Sequence, residues 1–289
     1  MPIDHAKLIS APPLVAEQEF SRRDTILYAL GVGAGIPDPL DPADLRFVLE
    51  RGLLALPTMA VVLGWSDAWI NNPEYGIDPR MVLHGEQSLV LHAPMPVEGR
   101  VRATLTVEDI FDKGPGRGAV LLFRREIEDI GRGTHLATSR QIVFVRGDGG
   151  FGGKSEGQPR PHPVPEDRDP DLTLDLPTRP EQALIYRLSG DLNPLHADPD
   201  FAKMAGFSRP ILHGLCTYGV AGRAVLKLLC GNDPARLARL DGRFTAPVIP
   251  GETLRTEVWQ GEAGRHAWRV RAVERNIVVL NNGLAEVRG

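Results

Sequence analysis

The stretch Tyr186-Arg-Leu-Ser-Gly-Asp-Leu-Asn-Pro-Leu-His-Ala-Asp-Pro199 sets an acid, Asp191, five residues before an imidazole, His196. Asn193-Pro194 lies between them. A residue before proline is pushed out of the α region, so a turn is expected there. Asp198-Pro199 has the form of a helix N-cap followed by proline at the first helical position. Asp191 and His196 are therefore expected on one ordered loop between two helical pieces. A carboxylate and an imidazole held this close can share a water molecule, which suits a general acid–base pair rather than an activated nucleophile. Asp, Asn and Pro are also the usual turn formers, so a plain loop accounts for the same spacing, and Asp198 reads as a cap.

Downstream, residues 214–229 are apolar almost all round, the mark of a buried helix. Strands are expected at 239–245, 254–260, 268–274 and 277–287, and short helices at 181–189 and 201–205. Upstream, the same plan appears. A helix is expected within 20–35, with Asp24 and Thr25 as candidate caps. A short strand is expected at 45–49. The apolar run 53–63 predicts a second buried helix starting near Pro57. Strands follow at 81–92, 101–110, 119–127 and 135–145. Val101, Ala103, Leu105 and Val107 alternate with Arg102, Thr104 and Thr106, the period-two pattern of a half-buried antiparallel strand. Residues 147–179, rich in Gly, Pro, Asp and Glu, are too poor in apolar residues to offset the cost of ordering and are expected to form a linker.

Two anchors support an internal duplication. Tyr28-Ala-Leu-Gly matches Tyr186-Arg-Leu-Ser at an offset of 158 residues, and Ala93-Pro-Met-Pro-Val-Glu-Gly matches Ala246-Pro-Val-Ile-Pro-Gly-Glu at 153. Each copy is a helix, a buried helix and an antiparallel sheet, so the fold class is α+β. A long helix wrapped by such a sheet is the hot-dog arrangement, here in tandem as a double hot-dog: 1–146, the linker 147–179, and 180–289. Counted from the tyrosines, Asp191 falls opposite Gly33, Asn193 opposite Gly35 and His196 opposite Asp38. The first copy thus lacks the acid and the imidazole, and one active site per chain is expected.

The 289 residues are 42% hydrophobic and 24% charged, with a formal net charge of −4. That balance speaks against a nucleic-acid or membrane-surface partner. The only cysteines, Cys216 and Cys230, lie in apolar surroundings and read as reduced and structural. No signal peptide, membrane span or Ser-Lys-Leu ending is evident, so the expected location is the cytoplasm. Gly31-Val-Gly-Ala-Gly35 follows a helix-like segment rather than a strand and precedes Pro37, the wrong setting for a nucleotide fingerprint. His196, Asp198 and His213 fit no familiar zinc spacing, and no metal is expected.

With Tyr186, Ser189, Gly190, Asp191, Asn193, Pro194, His196, Asp198 and Pro199 in view, the chain resembles the R-specific 2-enoyl-CoA hydratases (hydratase 2) of the MaoC-like dehydratase family. Leu212-His-Gly-Leu-Cys-Thr-Tyr-Gly and Arg243-Phe-Thr-Ala-Pro-Val extend the match. In the first half, Leu83-His-Gly-Glu-Gln and Asp112-Lys-Gly look like the degenerate copy of the two-domain members. The resemblance implies a double hot-dog fold and reversible hydration of trans-2-enoyl-CoA to (3R)-3-hydroxyacyl-CoA, in fatty acid metabolism. It implies Asp191 and His196 as the catalytic pair, Asn193 as an orienting residue, and the Gly214 amide as donor to the thioester oxygen. Coenzyme A would be part of the substrate, with no separate cofactor. Arg243, Phe244, Lys203, Arg209 and His213 are candidates for substrate or coenzyme A contact, with Arg223 a further candidate for phosphate. His213 and its first-copy counterpart His84 each precede a glycine, and His213 is read as chiefly structural. A homodimer is implied by the resemblance only.

Overall fold

The computed structural model describes residues 3–66 and 68–289. The chain opens with α1 (His5–Ile9), β1 (Leu14–Phe20), α2 (Arg22–Gly31), α3 (Pro42–Leu45) and α4 (Ala68–Asn71). Four long strands follow: β2 (Val82–Leu91), β3 (Gly99–Asp112), β4 (Ala119–Asp129) and β5 (Thr134–Val145). The second half runs β6 (Leu172–Pro177), α5 (Gln182–Tyr186), α6 (Pro199–Met204), α7 (Gly214–Leu229), β7 (Leu237–Phe244), β8 (Thr253–Trp259), β9 (Arg265–Ala272) and β10 (Ile277–Val287).

All ten strands join one antiparallel sheet in the order β1-β3-β4-β5-β2-β7-β10-β9-β8-β6. Read outward from the central β2–β7 pair, each half repeats the same order, so the duplication inferred from the tyrosine and Ala-Pro anchors is a structural repeat. The fold is a double hot-dog. Each half has a strand outside the expected set: β1 edges the first half against β3, and β6 edges the second against β8. They are the same strand of the repeat. β6 falls inside the stretch expected to be linker, because Leu172-Thr-Leu-Asp-Leu alternates within a Pro- and Asp-rich setting that masks it.

The two copies differ most at their centres. In the second half α7 is a 16-residue helix, buried from Leu215 to Leu226. In the first half the run expected to be a matching helix makes only a 3-10 turn, Pro57–Val61. Its side chains are buried, as expected of an all-apolar run, but Gly64 takes a left-handed φ of +60° and the chain turns away. The strand expected at 45–49 is likewise absent; α3 and tight turns occupy that region. α2 is present, but Ser21 caps it. The Ser21 side chain accepts from the Asp24 amide, and Asp24 returns a bond to the Ser21 amide, a capping box.

α7 therefore packs against both halves. A Cβ on Gly219 would stand 2.4 Å from Val32, and one on Gly222 2.6 Å from Thr58, so the helix meets the first half at backbone distance. Arg223, proposed from sequence as a phosphate ligand, is instead 2% exposed; it donates to Asp44 at 2.6 Å and to the Val32 carbonyl at 3.0 Å. Lys227 bridges Asp44 and Asp41 at 2.9 and 2.7 Å. Cys216 and Cys230 are free and buried. Burial pushes the Cys216 thiol far above its usual range, so it is no nucleophile.

Breaking a buried ion pair strands the remaining charge. Asp44→Ala is expected to lower unfolding stability by about 3–5 kcal/mol in urea titrations. Asp41→Ala removes a more exposed partner and is expected to cost about 1 kcal/mol or less.

Candidate active site

The loop from α5 to α6 is built as its sequence demands. Gly190 takes φ +120°, and Asn193 is extended at φ −51°, ψ 124° before Pro194. The Asn193 Oδ1 accepts from the Leu195 amide at 3.0 Å, capping a 3-10 turn over Pro194–His196. The Asp191 Oδ1 accepts from the Asn193 amide at 3.1 Å. Asp198 caps α6, accepting from the Asp200 and Phe201 amides at 2.9 and 3.3 Å. Asn193 is exposed, and the one bond made by its side chain holds the loop in shape.

His196 is buried, and its Nδ1 lies 2.9 Å from the Ile211 carbonyl. A carbonyl only accepts, so Nδ1 carries the proton and Nε2 is left with a free lone pair. Burial also holds the imidazole below the usual histidine range, which keeps it neutral. His213 stacks on it, with ring centroids 3.7 Å apart and planes inclined by 28°. The His213 Nε2 donates to the Asp191 carbonyl at 3.1 Å, and its Nδ1 is buried without a partner. Burial, with His196 alongside, lowers the His213 pKa to about 3. His213 thus ties the acid's backbone to the helix start, and the buried Tyr186 ring backs it at 4.9 Å.

Asp191, His196 and His213 each offer a ligand atom within 4.8 Å of the others. The acid and the imidazole inferred from spacing are therefore brought together, with His213 as a third member. The same convergence could hold a cation, using Asp191 in place of the Asp198 considered from sequence. A second such group, His92, Glu126 and His135, lies on the outer side of the first half's sheet.

Gly214 follows His213 as the first residue of α7, where an amide has no intrahelical partner and lies at the positive end of the helix dipole. It is exposed, and a Cβ there would stand 3.1 Å from the Phe244 ring. Phe244, half-buried at the end of β7, reaches from Gly214 to His84, whose ring centroid is 4.9 Å away.

His84 was legible only as the first-copy counterpart of His213. The β2–β7 pairing, not sequence proximity, brings it to the site. Its Nε2 donates to the Glu86 carbonyl at 3.1 Å, burial lowers its pKa to about 4, and the Asp191 charge reaches it. Arg243 lies across the same seam, half-exposed, 3.7 Å from Glu86. Lys203 and Arg209 are exposed on and just after α6.

The comparisons agree with this construction. Residues 18–147 match the MFE-2 hydratase 2 N-terminal domain, and residues 163–282 match the MaoC like domain. The chain is 44% identical over 278 residues to 3-hydroxyacyl-thioester dehydratase Y of Mycobacterium tuberculosis, covering 93% of each chain. It is 39% identical to peroxisomal enoyl-CoA hydratase 2 of Arabidopsis thaliana, covering 93% of this chain and 91% of that one. The crystal structure of a MaoC-like dehydratase from Phytophthora capsici superposes with a TM-score of 0.87 at 33% identity, covering 99% of this chain and 98% of the other. The fold, the repeat and the loop at Asp191 and His196 thus lead to one assignment: the chain belongs to the MaoC-like dehydratase family, as a two-part member of the enoyl-CoA hydratase 2 type.

Proposed function

We propose that the protein catalyses the reversible hydration of a trans-2-enoyl-CoA to the (3R)-3-hydroxyacyl-CoA. The observation that carries this reading is the tautomer of His196. Its Nδ1–H is held by the Ile211 carbonyl, which leaves Nε2 as the basic nitrogen, and a ring nitrogen of His196 lies within 4.8 Å of an Asp191 carboxylate oxygen.

The residues then divide the work as follows. Water is held between His196 Nε2 and the Asp191 carboxylate. As its oxygen bonds to C3, His196 takes its proton and the electron pair of the double bond moves through C2 toward the thioester oxygen. The Gly214 amide donates to that oxygen, where charge develops. The His196 imidazolium returns the proton to C2 on the same face, and the neighbouring Asp191 side chain steadies the imidazolium meanwhile. Nothing is consumed, and the reverse direction is a dehydration. Arg243, Lys203 and Arg209 are the candidates to meet the phosphates of coenzyme A, which is part of the substrate; Arg suits them through bidentate contacts. The acyl chain is assigned to the first half, the copy that lacks the acid and the imidazole. A carrier-protein or specialised acyl thioester is the alternative substrate, favoured by the M. tuberculosis relative's name, which specifies a thioester rather than coenzyme A.

A cytoplasmic location and a homodimer belong to the same proposal. No helix among the described residues is long and apolar enough to cross a membrane. The A. thaliana relative is named peroxisomal, so fractionation of cells is the deciding measurement for location.

Loss of enoyl absorbance with trans-2-enoyl-CoA substrates tests the chemistry. Asp191→Asn and His196→Gln, checked for folding by circular dichroism, are each expected to lower kcat by about 10²–10⁴-fold. The wild-type product is expected to be the R isomer by chiral chromatography.

Gly214→Pro removes the proposed donor at a position where proline is tolerated, since His213 already has ψ 137° and the residue opens the helix. A kcat loss of about 10²–10³-fold is expected, with a smaller change in KM.

Rate against pH gives an independent check. His196 must be neutral to act as base, and burial lowers its pKa. Activity is therefore expected to hold as pH falls past the ordinary histidine value and to drop only below it. An acid limb centred at or above about 6.5 would contradict this assignment.

A further inference from the structure

His92, Glu126 and His135 come together from three neighbouring strands of the first half. Glu126 stands on β4 opposite Thr138 of β5, and His135 is the second residue of β5. His92 follows directly on β2, where its amide donates to the Leu136 carbonyl at 2.9 Å. One ligand atom from each lies within 4.8 Å of the other two. The imidazoles stack, with ring centroids 4.2 Å apart and planes inclined by 26°. The His135 Nε2 donates to Glu126 Oε2 at 2.7 Å. The Thr138 hydroxyl donates to the same oxygen at 2.7 Å and accepts from the His92 Nε2 at 2.9 Å. Both Nε2 atoms are thus turned inward, one onto Oε2 and one onto the hydroxyl bonded to it.

Two imidazole nitrogens and one carboxylate oxygen are a donor set for zinc, nickel or cobalt, whereas magnesium and calcium take oxygen ligands. Zinc bonds to nitrogen and oxygen are about 2.0–2.2 Å long, so a tetrahedral ion needs ligand atoms roughly 3–4 Å apart. Closing to that distance from the present spacing asks for side-chain movements of about 1 Å. On binding, each ring proton moves from Nε2 to Nδ1, and the freed lone pairs face the ion with one from Oε2. Three protein ligands leave a further position for water. Thr138, buried, stays bonded to the carboxylate and holds its orientation. Arg124 pairs with Glu126 through the other oxygen, Oε1, which leaves Oε2 to the ion. Glu108, 3.9 Å from Arg124, offsets the guanidinium charge.

We propose that His92, Glu126 and His135 form a binding site for a divalent transition-metal ion of the zinc, nickel or cobalt class, which clamps the end of β2 to β4 and β5. The site shares no residue with the Asp191, His196 and His213 group, and it does not rest on the hydratase reading.

The test titrates Zn²⁺, followed by calorimetry, and Co²⁺, followed by visible absorption, into the untagged full-length protein after dialysis against a chelator. Wild type is expected to bind both ions saturably, to keep binding Zn²⁺ in an excess of Mg²⁺, and to gain in Tm with Zn²⁺. His92→Gln, Glu126→Gln and His135→Gln, checked for folding by circular dichroism, are each expected to weaken Zn²⁺ binding by about tenfold or more and to lose the gain in Tm. His196→Gln breaks the other convergent group and is expected to leave both readouts at the wild-type level. Absence of saturable Zn²⁺ binding in wild type overturns the proposal, whether or not the variants fold. So does a titration that is unchanged when His92→Gln and His135→Gln are combined, or one that is lost in His196→Gln and kept in His135→Gln. Displacement of Zn²⁺ by an equal concentration of Mg²⁺ overturns the assigned class of ion.

Discussion

Helix α7 is the packing centre of the second half and the element that joins it to the first. Its residues from Leu215 to Leu226 are buried, and the close approaches of Gly219 to Val32 and Gly222 to Thr58 bring it against the first half. A first copy with its own full helix would compete for that space. The 3-10 turn at Pro57–Val61 instead lies between α7 and strands β2 and β5 of the first half. The buried Arg223–Asp44–Lys227 network then ties the helix to the first half by ion pairs at 2.6 and 2.9 Å.

The second constraint is the antiparallel pairing of β2 with β7. It makes ten strands into one sheet and places Glu86 opposite Arg243 and Gln87 opposite Gly242. Across this seam His84 of the first copy reaches Phe244, beside a group whose acid and imidazole, Asp191 and His196, belong to the second copy. The copies differ in what they bury: the second carries the Asp191–His196 loop, and the inner face of the first encloses the polar side chains of Gln87, Gln141 and Arg125.

At the loop itself, hydrogen bonding sets the chemistry. The Ile211 carbonyl chooses the His196 tautomer, and the Asp191 carbonyl chooses that of His213. Two stacked imidazoles disfavour each other's protonation, and burial disfavours both charges, so the pair stays neutral where free histidines would begin to titrate.

Much of this was legible in the chain alone. The repeat followed from the Tyr28 and Tyr186 anchors, the turn from Asn193-Pro194, the α6 cap from Asp198-Pro199, and the burial of α7 from its unbroken apolar run; each is a local property carried by neighbouring residues. The sheet edges β1 and β6 were not legible, since their short alternating runs sit in polar settings and gain their order from β3 and β8. Nor was the loss of the first central helix, because an apolar run signals burial without saying what shape it is buried in. Arg223 read as a phosphate ligand until packing against Asp44 enclosed it, and Arg125 gave no signal at all. Local sequence thus determined the turns, the caps, the buried runs and which residues could supply an acid and a base. Only the tertiary structure decided which charges are paired, which tautomers are held and which copy lends its residues to the other, because those depend on contacts between residues far apart in the chain.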